Sequence, residues 1–137
     1  MRKQSAFLII VILVVAALAL SACGSKAAGP TQVHVKLTEF KVVLDKTSIP
    51  AGPVTFIIDN AGSEVHELVL EPAGIDDVPF EVNGKKSEVE DIAAGSSVTF
   101  EWTIDQPGEY QLACHVNENN EDHYANGMVA TFTVTAP

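Results

Sequence analysis

Four residues of this sequence could together make one metal site with soft and borderline donors: His66, Cys114, His123 and Met128. A thiolate, two imidazoles and a thioether favour copper over harder cations. Two histidines and one cysteine with a weak axial methionine are the donor set of copper sites that transfer electrons. The set therefore predicts one copper ion that cycles between Cu(I) and Cu(II).

Each of these residues also has an ordinary structural role open to it. A buried cysteine is often an inert small hydrophobe, and a buried methionine often fills a gap in a core. A histidine at the start of a strand can simply bond a backbone carbonyl. The four residues together, in the strand positions described below, favour a shared site over four coincidences.

The two other histidines are predicted to be solvated surface residues. His34 has the outward parity of its strand, and His115 directly follows Cys114 and should point away from it. Neither is expected to bind the metal.

The first 22 residues are predicted to be a secretory signal peptide. Arg2 and Lys3 precede an apolar run over residues 6–20, which is followed by Leu-Ser-Ala-Cys. This run is shorter than the roughly 20 residues of a spanning helix. The Leu-Ser-Ala-Cys stretch resembles a bacterial lipoprotein box, which implies cleavage before Cys23 and a thioether-linked diacylglycerol on Cys23, with palmitate as a candidate acyl chain. An ordinary signal peptide or an uncleaved anchor is the alternative.

Residues 23–32 are predicted to be a lipid-anchored, flexible linker, because they are small, polar and without hydrophobic periodicity. One folded domain is predicted over residues 33–137, as a monomer held by the anchor on the extracytoplasmic face of a membrane, in the periplasm or at the outer face of the cell. If Cys23 carries lipid, the other cysteine is Cys114, and an unpaired cysteine in an exported chain is consistent with metal ligation.

The charge balance bears on the class of partner. Without Arg2 and Lys3 the chain has six lysines against 18 carboxylates, a formal charge of −12. A chain this acidic argues against nucleic acid as a partner. Either a basic protein partner or solubility alone explains the excess of negative charge.

Alternating apolar and polar residues predict half-buried strands near residues 33–38, 54–59 and 98–105. Clusters of Gly, Pro and Asn mark the turns between strands. The predicted fold class is all-β: an antiparallel Greek-key β-sandwich of seven to eight strands. The least regular stretch, residues 72–86, could hold a short helix or a long loop, with a tight turn at Asn83-Gly84.

Strand parity predicts where the candidate ligands point. His66, Cys114 and Met128 each share a strand face with apolar companions, which assigns all three to the interior of the sandwich. His66 opens its strand, Cys114 closes one and Met128 opens the last. If the strand ending at Cys114 is antiparallel to the other two, the three lie at one end, and His123 is held there by the connecting loop.

Over about residues 33–135 the chain resembles the cupredoxin family, the blue copper proteins related to plastocyanin and azurin. The resemblance rests on Asn-Ala-Gly at 60–62 leading to His-Glu-Leu-Val-Leu at 66–70, on Pro-Gly-Glu-Tyr at 107–110 leading to Cys114, and on His-Tyr-Ala-Asn-Gly-Met-Val at 123–129. It implies a type 1 site with His66, Cys114 and His123 as equatorial ligands and Met128 as the long axial one.

Two features differ from the family's pattern. Eight residues separate Cys114 from His123, more than is common in the family, and the run 117–122 is wholly polar. Glu67 follows His66 where the family often has an asparagine that helps to hold the loops around the sulfur. The resemblance also implies that His123 provides the electron's exit through an apolar surface patch, here Tyr124, Ala125 and Val129.

The predicted function is electron transfer by a membrane-tethered copper protein that is not an enzyme. Glu118, Glu121 and Asp122, with Tyr124, are predicted to form an acidic rim facing a redox partner such as a basic c-type cytochrome or a membrane redox complex. Charges that only aid solubility are the alternative. Two other functions remain open: capture, storage or delivery of copper outside the cytoplasm, and a metal-free sandwich used for adhesion or sensing.

Overall fold

The computed structural model describes residues 29–118 and 120–137. The predicted signal peptide, Cys23 and linker residues 23–28 lie outside the described residues. Within the described part all regular structure is β-strand, and no helix there has the length and apolar character needed to cross a membrane. The strands are β1 (Thr31–Thr38), β2 (Lys41–Leu44), β3 (Ser48–Pro50), β4 (Gly52–Asn60), β5 (His66–Pro72), β6 (Glu81–Val82), β7 (Lys85–Lys86), β8 (Glu88–Ile92), β9 (Ser97–Ile104), β10 (Gly108–Ala113), β11 (Asn117–Glu118), β12 (Glu121–Asp122) and β13 (Val129–Thr135).

Two sheets form the body of the domain. The first has the strand order β2-β1-β4-β9 and the second β3-β13-β10-β5-β8. The pairs β6-β7 and β11-β12 are separate small hairpins. The predicted all-β sandwich is confirmed, and the strand count exceeds seven to eight because these short hairpins and the three-residue β3 carry little periodic signal.

The predicted alternation places the core between the two sheets. On β1 the side chains of Val33, Val35 and Leu37 are buried while their neighbours in sequence are exposed. β4 repeats the pattern, and Phe56 lies at the centre of the core, with its ring centroid 5.9 Å from that of Phe100 and 6.2 Å from that of Phe132. One continuous apolar layer therefore supports the loops at either end.

The sheets are mixed rather than purely antiparallel, which corrects the expected pairing. β1 pairs in parallel with β4, and β13 pairs in parallel with β3. The chain leaves the first sheet after β2, forms β3 in the second sheet and returns as β4. No hairpin joins β1 to β4, so nothing forces them to run in opposite directions.

Residues 72–86 contain a hairpin and no helix. β6 and β7 pair around Asn83 and Gly84, which have φ angles of 54° and 77°. Two consecutive positive φ angles are the mark of the tight turn that Asn-Gly predicts.

The direction of β10 fixes one end of the sandwich as the place where the candidate ligands meet. β10 is antiparallel to β13 and to β5, with Ala113 opposite both Val129 and Val69. The end of β10 and the beginnings of its two neighbours therefore lie side by side, as the sequence predicted.

Replacing Phe56 with alanine should lower the free energy of unfolding by about 3–5 kcal/mol, because the ring is fully buried and the cavity left behind cannot collapse completely. Chemical denaturation of the purified domain measures the change. Val43→Ala is the matched control: Val43 is 45% exposed, and its loss should stay within about 0.5 kcal/mol. Equal losses in the two variants would contradict the placement of the core.

Candidate metal centre

The four predicted ligands lie at the same end of the sandwich. His66 is the first residue of β5, Cys114 follows the last residue of β10, and Met128 precedes the first residue of β13. His123 directly follows β12. All four side chains are buried: His66, Cys114 and Met128 have no exposed surface and His123 is 2% exposed.

Three donor atoms face one another across a short gap. His66 Nδ1 lies 3.3 Å from His123 Nδ1, and Cys114 Sγ lies 3.5 Å from His123 Nδ1 and 4.0 Å from His66 Nδ1. Among the described histidines, cysteines and carboxylates these three form the group that could hold a metal ion. The two imidazole rings are inclined at 66° to each other, with 5.1 Å between their centroids.

Met128 is tied to this group through the main chain. The Cys114 N–H donates to Met128 O at 3.0 Å, and the Met128 N–H donates to His123 O at 2.9 Å. The backbone of Met128 is therefore hydrogen-bonded to the backbones of two of the three donor residues, Cys114 and His123.

The sulfur of Cys114 receives main-chain hydrogen bonds. The Glu67 N–H donates to Cys114 Sγ at 3.5 Å. Burial raises the pKa of the Cys114 thiol, while the Glu67 and Val116 N–H groups act in the opposite direction. A metal ion must therefore displace a proton from the thiol, after which these N–H groups are in place to stabilise the thiolate.

Glu67 takes over the role that the resemblance assigns to asparagine. Its N–H reaches the sulfur, and its carboxylate accepts the His115 N–H at 2.8 Å. One residue thus holds the start of β5 against the chain that leaves β10. Burial raises the pKa of the Glu67 carboxyl, and the bond from His115 partly opposes this.

His66 is suited to bind a metal as a neutral imidazole. Burial and then the nearby His123 lower its pKa, against opposing contributions from Glu39 and Glu64. With Nδ1 facing the gap, the proton of the neutral ring belongs on Nε2. His66 Nε2 is fully buried and has no hydrogen-bond partner among the described residues. The donor chemistry and this tautomer fit a copper ion at Nδ1.

The segment between Cys114 and His123 is a hairpin rather than an irregular loop. Asn117 pairs with Asp122 and Glu118 with Glu121, and Asn120 in the turn has a φ of 66°. The His123 N–H donates to Val116 O at 3.0 Å and closes the base of the hairpin. The additional residues between Cys114 and His123 therefore form a hairpin whose base places His123 next to Val116.

His34 is exposed as predicted, but the prediction for His115 is wrong. The His115 side chain is only 8% exposed and lies between Glu71 (Nε2 to Oε1, 2.9 Å) and Asp76 (Nδ1 to Oδ1, 3.1 Å). Its ring stacks on Tyr124 with 4.7 Å between centroids. His115 and Glu71 lie on the outer face of the second sheet, and residues 73–80 cover that face.

Gln111 completes this buried polar cluster. Its Nε2 donates to Glu71 Oε1 and to Ile75 O, each at 2.8 Å, and its Oε1 accepts the Gly74 N–H at 2.8 Å. Sequence reasoning missed Glu71 and Gln111, because outward parity on a strand ordinarily signals exposure.

The predicted rim residues differ in their surroundings. Glu118 and Glu121 are exposed, whereas Asp122 accepts the Ala125 N–H at 2.9 Å and so caps the turn that follows β12. Tyr124 is half-buried against His115. A cavity of about 160 Å³ beside His123 is lined by Glu64, Val65, Val116, Glu118, Glu121 and His123.

Three residues near the histidines carried no recognisable sequence signal: Glu39, Phe40 and Glu64. The Phe40 ring lies edge-on to His123 with 5.4 Å between centroids. Glu64 Oε2 lies 3.4 Å from His123 Nε2, and Glu39 Oε1 lies 4.0 Å from His66 Nε2. An aromatic ring and a carboxylate therefore lie against the outer edge of His123, whereas the apolar patch that the resemblance implies stays a prediction.

The fold is shared with copper proteins of known structure. Auracyanin B is 24% identical, with a TM-score of 0.60 over 79% of this chain and 91% of its own. The dithionite-reduced auracyanin of the photosynthetic bacterium Roseiflexus castenholzii is 21% identical, with a TM-score of 0.59 over 79% of this chain and 99% of its own. A multicopper oxidase is similar at 17% identity and a TM-score of 0.52, over 77% of this chain and 42% of its own.

No curated protein matches the sequence. The family model described as a cupredoxin-like domain matches residues 9–123, most of the chain. The match includes His66, Cys114 and His123, whose donor atoms form a group that could hold a metal ion. The chain therefore belongs to the cupredoxin-like family, with copper as its cofactor.

Proposed function

We propose that this protein transfers single electrons through a mononuclear type 1 copper site. His66, Cys114 and His123 would hold the copper ion, with Met128 as a further, weaker ligand. The observation that carries the proposal is the grouping of two Nδ1 atoms and one sulfur within 4.0 Å of one another in a buried setting. The chemistry of such a centre is the uptake and release of one electron as its copper alternates between Cu(II) and Cu(I).

The protein's part is to hold the donors still in both oxidation states. Main-chain hydrogen bonds fix Cys114, His123 and Met128 relative to one another, and the fully buried His66 is held by β5. Ligands that move little on reduction keep the reorganisation small. The Glu67 N–H at the sulfur offsets part of the thiolate's negative charge.

A site built in this way has no place for a substrate. Catalytic metal sites keep an open coordination position, whereas here three buried donors face one gap and the proposed fourth, Met128, is buried beside them. The likeness to a multicopper oxidase concerns the fold, and further histidine clusters of the kind needed for oxidase chemistry are absent from a chain with four histidines. These features favour electron transfer over oxidase chemistry.

The absorption spectrum of the copper-loaded domain tests the proposal. An intense blue or green thiolate-to-copper band with reversible redox cycling is expected, and Cys114→Ser should abolish the band. His34→Gln, which changes an exposed histidine, should leave it intact. Tight binding of Cu(I) without reversible cycling would instead indicate copper capture, storage or delivery, and unchanged copper binding by Cys114→Ser would overturn the site.

The hairpin beside His123 is proposed to face the redox partner. Glu118 and Glu121 are exposed on it and line the cavity against His123, with Glu64 across from them. Negative charge around an electron exit favours a basic partner, such as a c-type cytochrome or a membrane redox complex, through a small and transient interface. Asp122 is also exposed and caps the turn after β12, and the half-buried Tyr124 packs against His115.

The double variant Glu118→Gln/Glu121→Gln should slow association with a basic c-type cytochrome at low salt, because it removes the charges that steer the encounter. Stopped-flow mixing measures the rate, and the difference should shrink as salt screens the charges. Asp122 is left unchanged because it caps the turn. The control Glu81→Gln/Glu101→Gln removes two exposed charges elsewhere; equal rates in both variants would rule out steering by the hairpin.

We also propose that the protein is tethered outside the cytoplasm by lipid on Cys23. The support is the signal-like N-terminus ending in Leu-Ser-Ala-Cys. Two acyl chains give stable membrane attachment, whereas one alone binds marginally. Cys23→Ser should therefore move the protein from the membrane fraction to the soluble fraction. An unchanged distribution, with no lipid mass on Cys23 in the native protein, would rule out this anchor.

A further inference from the structure

We propose that Glu39 and Glu64 are positioning residues that set the charge balance of the copper site, one carboxylate behind each ligand imidazole. Through the remote nitrogens of His66 and His123 they favour Cu(II) over Cu(I) and lower the reduction potential. This inference rests on the proposed copper site. It assigns a role to two residues that neither the ligand set nor the family resemblance includes.

Glu39 is locked in place by the chain that leads to His66. It lies in the two-residue turn between β1 and β2, where Thr38 pairs with Lys41. Glu39 Oε1 accepts the Ser63 N–H, and also the Ser63 hydroxyl and the Glu64 N–H, each at 3.2 Å. Three donors thus converge on one oxygen of this carboxylate, which is negative at neutral pH as glutamates ordinarily are.

The Glu39 carboxylate faces the one side of His66 that has no partner. His66 Nε2 is buried and without a hydrogen bond among the described residues, and Glu39 Oε1 lies 4.0 Å from it. The distance exceeds a hydrogen bond, so the interaction is that of a charge with an N–H dipole. A metal-bound imidazole ordinarily presents its second N–H to an acceptor, and such an acceptor raises the basicity of the ligand.

Gly62 leaves the space in which this contact occurs. A Cβ at this position would lie 2.5 Å from Glu39 Oε1 and 3.1 Å from His66 Nε2. The φ of Gly62 is not in the left-handed region, so its backbone would accept another residue. The glycine therefore serves the close approach of carboxylate and ring rather than the conformation of the chain.

Glu64 stands in the same relation to the second histidine. Its Oε2 lies 3.4 Å from His123 Nε2, at the wall of the cavity beside the hairpin. Phe40, next to Glu39 in the turn, packs edge-on against the same imidazole. Two adjacent turn residues and Glu64 thus enclose the outer edges of both rings.

Two negative charges behind the ligands stabilise the more positive oxidation state. Cu(II) carries one more positive charge than Cu(I), so each carboxylate lowers the energy of the oxidised site more than that of the reduced site. The polarised imidazoles are also stronger donors to Cu(II). Both effects lower the reduction potential, although neither carboxylate is a ligand of the metal.

The test compares Cu(II) and Cu(I) dissociation constants, from chelator competition, with the reduction potential from voltammetry. Glu39→Gln and Glu64→Gln should each weaken Cu(II) binding by about tenfold, with a smaller effect on Cu(I), and should raise the potential. The double variant should show the largest shift. Gly62→Ala, which keeps both charges but displaces the Glu39 carboxylate, should shift the potential in the same direction as Glu39→Gln.

Asp105→Asn is the matched control, since it removes an exposed charge just after β9, at the opposite end of the sandwich. The inference would be overturned if the Glu39 and Glu64 variants matched this control in their ratio of Cu(II) to Cu(I) affinity and in their reduction potential. A normal thiolate-to-copper band in the same variants would leave the proposed function standing. A wild-type protein without that band would overturn both. Thermal unfolding of the copper-free variants distinguishes a lost fold from a changed potential.

Discussion

Main-chain hydrogen bonds close the segment between Cys114 and Met128, and the rest of the site depends on this closure. Cys114 donates to Met128, Met128 to His123, and His123 to Val116. This set of bonds makes the end of β10, the hairpin base and the start of β13 one unit. Since β10 is antiparallel to both neighbouring strands, the same unit brings His66 at the start of β5 against Cys114. Backbone geometry therefore positions the donors.

The surroundings of this unit divide into an apolar side and a charged side. Toward the core, the ligands meet the continuous layer of valine, leucine, isoleucine and phenylalanine side chains between the sheets. Toward the surface, Glu67 joins the two strands that carry His66 and Cys114, and Glu39 and Glu64 lie behind the two imidazoles. Burial raises the pKa of the Cys114 thiol and lowers that of His66, so burial favours the neutral form of both groups in the site. Negative charge just outside it is then available to a cation that enters.

Strand parity made the core of the site predictable from sequence. His66, Cys114 and Met128 share faces with apolar residues, and the order in which they open or close their strands fixes one end of the sandwich. The Asn83-Gly84 turn was predictable for a similar reason, because its conformation is set locally.

Contacts between distant segments were not predictable in this way. Glu39 reaches Ser63, 24 residues away, and Gln111 reaches Glu71, 40 residues away. His115 was misplaced because the cover over its face of the sheet comes from residues 73–80. The parallel pairing of β1 with β4 likewise depends on the crossing of the chain between sheets. These features depend on tertiary contacts between segments far apart in the sequence, and a local pattern of residues does not predict such contacts.

The most direct measurement of the central claim is a pair of crystal structures of the domain, copper-free and copper-loaded. A preformed site predicts copper bound by both Nδ1 atoms and the Cys114 sulfur, with the His66, Cys114 and His123 side chains in the same rotamers in both crystals. Copper bound elsewhere, or a histidine that swings into place only when the metal arrives, would contradict the account.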